Sequence, residues 1–328
     1  MILSKTPYRI SFFGGGSDYP EWLSENNGEV ISTTINKYIY ISCRELPPFF
    51  KHRHRILYSK TENVKNIQDI KHKAMRALLE KIKPKIGLEI HYDGDLPSKS
   101  GMGSSSSFIV GCLKAFYEQF GINHDKKKLV NESIILEQKV LKETVGSQDQ
   151  VAAAYGGFNN IIFSKNKIKV KPISLSKKEI KKFSKNFFLI YTNQMRTASN
   201  IAKEYIEDLS IKNKRQIQKI IDHTSMAKKF IKQKAFNDFG NLLNETWHEK
   251  KQINNIISNS KIDYLYNKGI RNGALGGKLL GAGAGGFLLF YVPIKNREKF
   301  KLSFSNELII PLEFTTEGSE IIFNDKKR

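Results

Sequence analysis

Glu137 and Asp149 lie twelve residues apart, one on an amphipathic stretch and the other in GSQDQ, shortly before the Gly156-Gly157 pair. Carboxylates at a helix end and in the loop beyond it can divide two tasks, holding a divalent metal and accepting a proton. Arg9 and Asp18 bracket a glycine turn in RISFFGGGSDYPEW (9–22). They can serve as a cation near a transferred phosphate and a carboxylate for sugar hydroxyls, or pair as a structural salt bridge. A second glycine segment, DLPSKSGMGSSSSF (95–108), leads an alternating strand through Pro97 into an apolar helix. Such a junction aims free N–H groups and the positive end of a helix dipole at an anion, and four serines add hydroxyls. It is not a Walker A loop, because no Lys-Ser/Thr pair closes it. A serine helix cap explains part of the pattern but not its two glycines. The third segment, GALGGKLLGAGAGGF (273–287), contains G-x-G-x-x-G at Gly281, Gly283 and Gly286. An apolar strand follows where a dinucleotide site needs a helix. The segment therefore reads as a close-packed turn beside another loop, with Lys278 available to an anion.

These groups need a scaffold larger than one comfortable core, and 328 residues predict two domains. Lys and Arg number 54 against 32 Asp and Glu, a net charge of +22 that raises the question of nucleic acid. The lysines are spread through helices and loops, and no RNA- or DNA-binding pattern accompanies them. Even the densest run, KKEIKKFSK (177–185), sets Ile180 and Phe183 at helical spacing and reads as a solvated helix face. Attraction of anionic metabolites is the simpler use of the charge. A nucleic-acid-binding protein stays as the non-enzyme alternative, and it predicts steep salt dependence without ATP turnover. Two distant cysteines, Cys43 and Cys112, exclude a disulfide framework and point to a reducing compartment. The N-terminus has no secretory pattern, and the apolar stretch 279–292 is too short and glycine-rich to span a bilayer. The expectation is a cytoplasmic protein without membrane contact. His52 and His54 in KHRHR are expected on the surface.

The periodicity predicts strands at 1–13, 28–44 and 86–97, a helix at 69–82, and amphipathic helices at 108–120 and 129–143. A hairpin follows at 159–174, and the domain boundary is placed between 175 and 176. The second half is expected to hold a strand at 186–193, long helices between 197 and 272, and strands at 287–292 and 308–314. Strands and helices without regular βα alternation favour an α+β fold.

In this order, Arg9 with Gly14 to Asp18, Pro97 with Gly101 to Ser105, Gly146 with Asp149 and Gln150, and Lys278 with Gly281 to Gly283, the chain resembles the GHMP kinases over nearly its whole length. The wording of GGGSDYPEW and of NQMRTASNIAKE (193–204) is similar to the sugar-1-kinase branch that acts on D-glycero-D-manno-heptose 7-phosphate. The resemblance implies an N-terminal β/α domain and a C-terminal ferredoxin-like domain, with the active site between them. It implies ATP and Mg2+. Gly101, Met102, Gly103, Ser104, Ser105 and Ser106 would wrap the ATP phosphates, and Ser105 with Glu137 would hold the metal. Asp149 would face the anomeric hydroxyl, and Arg9 matches the cation at the galactokinase phosphoryl centre. Gly15, Gly16, Ser17, Asp18, Tyr19, Lys278 and Gly283 would form the acceptor side, with Arg196 gripping a distal phosphate. Gly15 stands where galactokinase has a sugar-contacting Glu, which argues against galactose. Fucose or another phosphorylated sugar is the alternative acceptor, and a homodimer is compatible with the sequence.

Overall fold

The computed structural model describes residues 1–165, 167–194, 198–206 and 208–327. Two long strands, β1 (Ile2–Phe13) and β2 (Gly28–Glu45), form the spine of a nine-stranded sheet. They pair antiparallel from Ile2 against Cys43 to Phe13 against Ile31, which brings Arg9 and Ser11 alongside Thr34 and Ser32. β-Branched and aromatic residues dominate both, as a sheet buried over most of its length requires. Beyond them lie β3 (His54–Leu57), β4 (Thr61–Val64) and β5 (Leu88–Gly94), and the hairpin β6 (Phe158–Ser164) and β7 (Lys167–Pro172). β2 is long enough to pair its first residues with β6 and its last with β5. The helices α1 (Lys73–Ile82), α2 (Ser104–Gln119), α3 (Lys126–Ile134) and α4 (Gln148–Tyr155) belong to the same half of the chain.

A second, four-stranded antiparallel sheet is made by β8 (Phe187–Tyr191), β9 (Gly276–Leu279), β10 (Phe287–Tyr291) and β11 (Ile309–Ile310), in the order β11-β8-β10-β9. The helix α5 (Lys214–Gln233) lies between the strands β1 and β2 of the first sheet and α6 (Phe236–Ile253), and the second sheet packs with α6 and α7 (Ser260–Arg271). This is the two-domain α+β architecture that the sequence predicted. One feature departs from a single break at 175/176. β12 (Phe314–Thr315) and β13 (Glu320–Asn324) return to the first sheet and pair with β2 and β1. The run 177–185 forms a helix capped reciprocally by Ser176 and Glu179, with Phe183 buried.

The halves are held together by aromatic packing and by polar contacts, among them a clamp on Glu29. Phe12 of β1 packs on Phe187 and Phe239, with ring centroids 5.3 Å apart in each pair. Glu29 of β2 accepts hydrogen bonds from Lys228 at 2.5 Å, Thr224 at 2.9 Å and Asn160 at 2.7 Å. The glycine segments meet at the same seam. A Cβ on Gly281 would stand 2.5 Å from the Cα of Gly101, and one on Gly101 would stand 2.4 Å from the carbonyl oxygen of Leu280. Both glycines have positive φ. The third segment is thus a close-packed turn against the serine loop. His54 is buried rather than on the surface, because it lies on β3 beneath neighbouring chain, and burial pushes its imidazole down to about 4.

Gly281→Ala should lower stability by about 2–4 kcal/mol, from left-handed strain plus overpacking against backbone that cannot yield. A chemical denaturation midpoint unchanged by the substitution would contradict this account of the seam.

Candidate active site

The cavity of about 280 Å³ lies where the serine loop, the first glycine turn, α6 and β9 converge. Gly103, in left-handed conformation, is the N-cap of α2, and the helix starts at Ser104, four residues before the predicted 108. The serines are therefore its first turn, where N–H groups lack intrahelical partners. Ser104 and Ser105 line the cavity. The other two hydroxyls are used internally: Ser106 donates to Glu137 Oε2 at 2.7 Å and Ser107 to the Pro7 carbonyl at 2.9 Å. Met102 is buried in the core, and its carbonyl accepts the Arg9 N–H at 3.2 Å. Of the expected phosphate-binding set, Gly101, Gly103, Ser104 and Ser105 form wall, Ser106 reaches it with its hydroxyl already committed, and Met102 anchors the loop from behind.

Glu137 is fully buried on a π-helical turn (Ile135–Val140) that continues α3. Gln150 donates to the same Oε2 at 2.5 Å, while Oε1 has no partner. Burial, opposed by hydrogen bonds from Ser106, Ser105 and Gln150, pushes this carboxyl up to about 7. A buried carboxylate oxygen without a partner, on a residue that lines the cavity, suits a cation brought in by phosphates. Among the described residues no cluster of three or more His, Cys, Asp or Glu could hold a metal alone. The donor set therefore fits a hard ion that keeps mostly phosphate and water ligands.

Arg9 pairs with Asp149, in the first turn of α4, and not with Asp18. Its Nε donates to Oδ1 at 2.6 Å, its Nη2 to Oδ2 at 2.7 Å, and its Nη1 to the Gly101 carbonyl at 2.7 Å. The guanidinium fork fits a carboxylate with two parallel bonds, so one buried cation fixes both the orientation of Asp149 and the position of the phosphate loop. Asp18 instead accepts from the Gly16 N–H at 3.3 Å, the Gln148 N–H at 3.0 Å and the Gln148 side chain at 2.9 Å. It is fully buried, and desolvation pushes it up to about 6.

On the acceptor side Gly15, Gly16, Asp18, Tyr19 and Lys278 line the cavity. Two expected members do not. The Ser17 hydroxyl is buried and donates to the Gly14 carbonyl at 2.7 Å, closing the turn. Gly283 faces the backbone of Ile257, which a Cβ would meet at 2.8 Å, and the wall there is Gly281 and Ala282. Arg196 lies outside the described residues. Sequence reasoning missed Lys250, Tyr205 and the aliphatic wall of Leu209, Ile217, Ile220, Ile253 and Ile257. Tyr205 donates to the Ala282 carbonyl at 3.1 Å and Lys250 to the Gly281 carbonyl at 2.5 Å. Lys250 sits in HEKKQIN among many lysines, and no sequence signal separates it from them.

Residues 69–157 match the model of the GHMP kinases N terminal domain and residues 226–301 that of the GHMP kinases C terminal domain. The chain belongs to the GHMP kinase family, and it is a sugar kinase, an ATP-dependent phosphotransferase. It is 30% identical to a D-glycero-alpha-D-manno-heptose 7-phosphate kinase from Campylobacter jejuni, over 97% of both chains. A crystal structure of a D-glycero-D-manno-heptose 1-phosphate kinase from Bacteroides thetaiotaomicron superposes with a TM-score of 0.79 at 24% identity, covering 99% of each chain. A putative sugar kinase from Campylobacter jejuni gives 0.74 at 25% identity, over 98% of this chain and 97% of that one. Among the described residues no helix is long and apolar enough to cross a membrane.

Ionised Asp18 carries a pH signature. Its folded value of about 6 exceeds the ordinary 3.8. The folded chain therefore keeps a proton that the unfolded chain has lost between these limits. Stability falls as pH rises from about 4 to about 6, by about 3 kcal/mol, and the cost stays constant above that. Asp18→Asn should therefore be less destabilised, relative to the unmutated protein, at pH 7.5 than at pH 4.5. A pH-independent difference in unfolding free energy would refute the buried-charge reading.

Proposed function

We propose that the chain transfers the γ-phosphoryl of ATP to the anomeric hydroxyl of D-glycero-D-manno-heptose 7-phosphate, giving the 1,7-bisphosphate. The observation that carries the reading is Asp149 clamped by Arg9 at the mouth of the serine loop. A carboxylate held this way lies between the place for a triphosphate and the glycine turn that bears Asp18. The full-length similarity to a heptose 7-phosphate kinase supports the acceptor. So does Gly15, which leaves the position of a galactose-contacting acid without a side chain.

ATP lays its phosphates against the N–H groups of the first turn of α2, with the helix dipole favouring their charge. Glu137, through its open Oε1, and Ser105 would hold Mg2+, which neutralises charge on the β- and γ-phosphates when bound. The acceptor hydroxyl points at Asp149, whose orientation Arg9 fixes. The hydroxyl oxygen attacks the γ-phosphorus, the bond from that phosphorus to the β–γ bridging oxygen breaks, and ADP leaves with that electron pair. The hydroxyl proton passes to Asp149. A hemiacetal hydroxyl is more acidic than an ordinary alcohol, so positioning matters more than base strength. Asp18 accepts hydrogen bonds from ring hydroxyls, and Gln148 keeps it in place.

An ATP-consumption assay across free and phosphorylated sugars tests the acceptor. Heptose 7-phosphate should be turned over with the highest kcat/KM, and faster turnover of galactose or fucose would overturn the assignment. Asp149→Asn should lower kcat by about 10²–10⁴ while ATP binding survives. Glu137→Gln and Ser105→Ala should instead raise the Mg2+ concentration needed for half-maximal rate. Near-normal turnover of folded Asp149→Asn, or unchanged Mg2+ titrations of the other two, would remove these roles.

A further inference from the structure

Two ammonium groups in the cavity have no carboxylate to answer them. Lys278 on β9 is 4% exposed and donates to the Phe12 carbonyl at 2.8 Å. Lys250 on α6 is half-buried and donates to the carbonyls of Gly281 at 2.5 Å and Leu279 at 3.2 Å. Among the described residues no Asp or Glu oxygen lies within 4 Å of either Nζ. Both line the cavity, together with Ser11, whose buried hydroxyl has no hydrogen-bond partner. A buried lysine normally pairs or gives up its proton. Here burial and neighbouring positive charge press both downward, Lys250 to about 7 and Lys278 well below its usual range. Each ammonium has three donors, and backbone carbonyls take only part of them. Among the described residues that line the cavity, the guanidinium of Arg9 is already spent on Asp149.

We propose that Lys250 and Lys278, with the Ser11 hydroxyl, form a seat for a phosphate monoester, and that its occupant is the acceptor's own phosphate. The proposal rests on the acceptor reading above. A dianion satisfies both lysines at once, which neutral ring hydroxyls do not. The nucleotide phosphates already have the first turn of α2 and Glu137's cation. Gly15 lines the same cavity without a side chain, and an added Cβ there would touch the Ser11 hydroxyl at 3.6 Å and Gln148 at 3.8 Å. The aliphatic wall of Ile217, Ile220 and Ile253 offers no competing cation or donor.

The test compares the full-length protein with Lys250→Met and Lys278→Met, which remove charge and keep side-chain length. The ratio of kcat/KM for heptose 7-phosphate over unphosphorylated heptose should fall ~10–100-fold in each, the size expected for losing a charged hydrogen bond. The KM for ATP should move far less. Equal losses with both sugars would place the lysines on the transferred phosphoryl and overturn the proposal, as would an unchanged ratio. Inorganic phosphate gives an independent arm. With the serine loop filled by a non-hydrolysable ATP analogue and Mg2+, it should raise the melting temperature of the unmutated protein, and both variants should lose that response. This arm stands even if heptose 7-phosphate proves not to be the acceptor, and a response retained in both variants would refute the seat. The half-exposed Lys250 keeps the question open to measurement should Lys278→Met fail to fold.

Discussion

The Arg9 guanidinium is almost wholly removed from water, and a charge so placed must be met on every side. Its partners come from two separate stretches of chain. Asp149 is carried by α4, Gly101 by the serine loop, and the backbone N–H of Arg9 itself is bonded to Met102. Removing Asp149 leaves a buried cation uncompensated, a loss far larger than the net value of a surface pair. The serine loop and the helix that bears Asp149 are therefore fixed to β1 by a single side chain. The distance between nucleotide and acceptor depends on that arrangement.

Glycine acts in a complementary way, by allowing backbone to approach backbone. Gly101 and Gly281 touch across the seam between the two halves, and Lys250 bonds the Gly281 carbonyl from the far side. Loop position, cation position and the packing of the second sheet are thus coupled. A shift of the second half against the first would move the lysines and the phosphate loop together. The Glu29 clamp to α5 and the aromatic contact of Phe12 with Phe187 and Phe239 resist such a shift.

Much of this was legible in the sequence because it rests on periodicity and glycine. The long strands β1 and β2, the hairpin at 158–172 and the α+β class follow from alternation and turn residues. Three placements were not legible, each for a physical reason. The start of α2 was set too late because serines favour caps and turns in isolation, whereas here the left-handed Gly103 allows the helix to begin at Ser104. The π-helical turn that aims Glu137 inward is a local widening that an amphipathic pattern does not record. The return of β12 and β13 to the first sheet depends on contacts with residues some 300 positions earlier, beyond what any local signal carries. The sequence offered Asp18 as the partner of Arg9 if the two formed a structural salt bridge, and the structure supplies Asp149, 140 positions away, instead. Gly283 and Ser17 lie in the right motifs yet serve the turns and not the wall.

The charge of the cavity is arranged as a set of incomplete pairs. Glu137 keeps an unpartnered oxygen, Asp18 is ionised only against its burial, and among the described residues no carboxylate pairs with Lys250 or Lys278. Each of these groups costs the empty protein stability that an apolar replacement would return. Together they form a pattern of opposite signs separated in space, carboxylates toward the helix α3 and α4 side and ammonium groups toward α6 and β9. In the reaction proposed above, ATP with its metal would answer the carboxylate side of that pattern and a phosphorylated acceptor the ammonium side, whereas a neutral monosaccharide would leave the ammonium side unanswered. The net charge of +22 fits the same account at longer range. It raises the local concentration of anionic metabolites without selecting among them, so selection falls to the few cations that are buried and aimed.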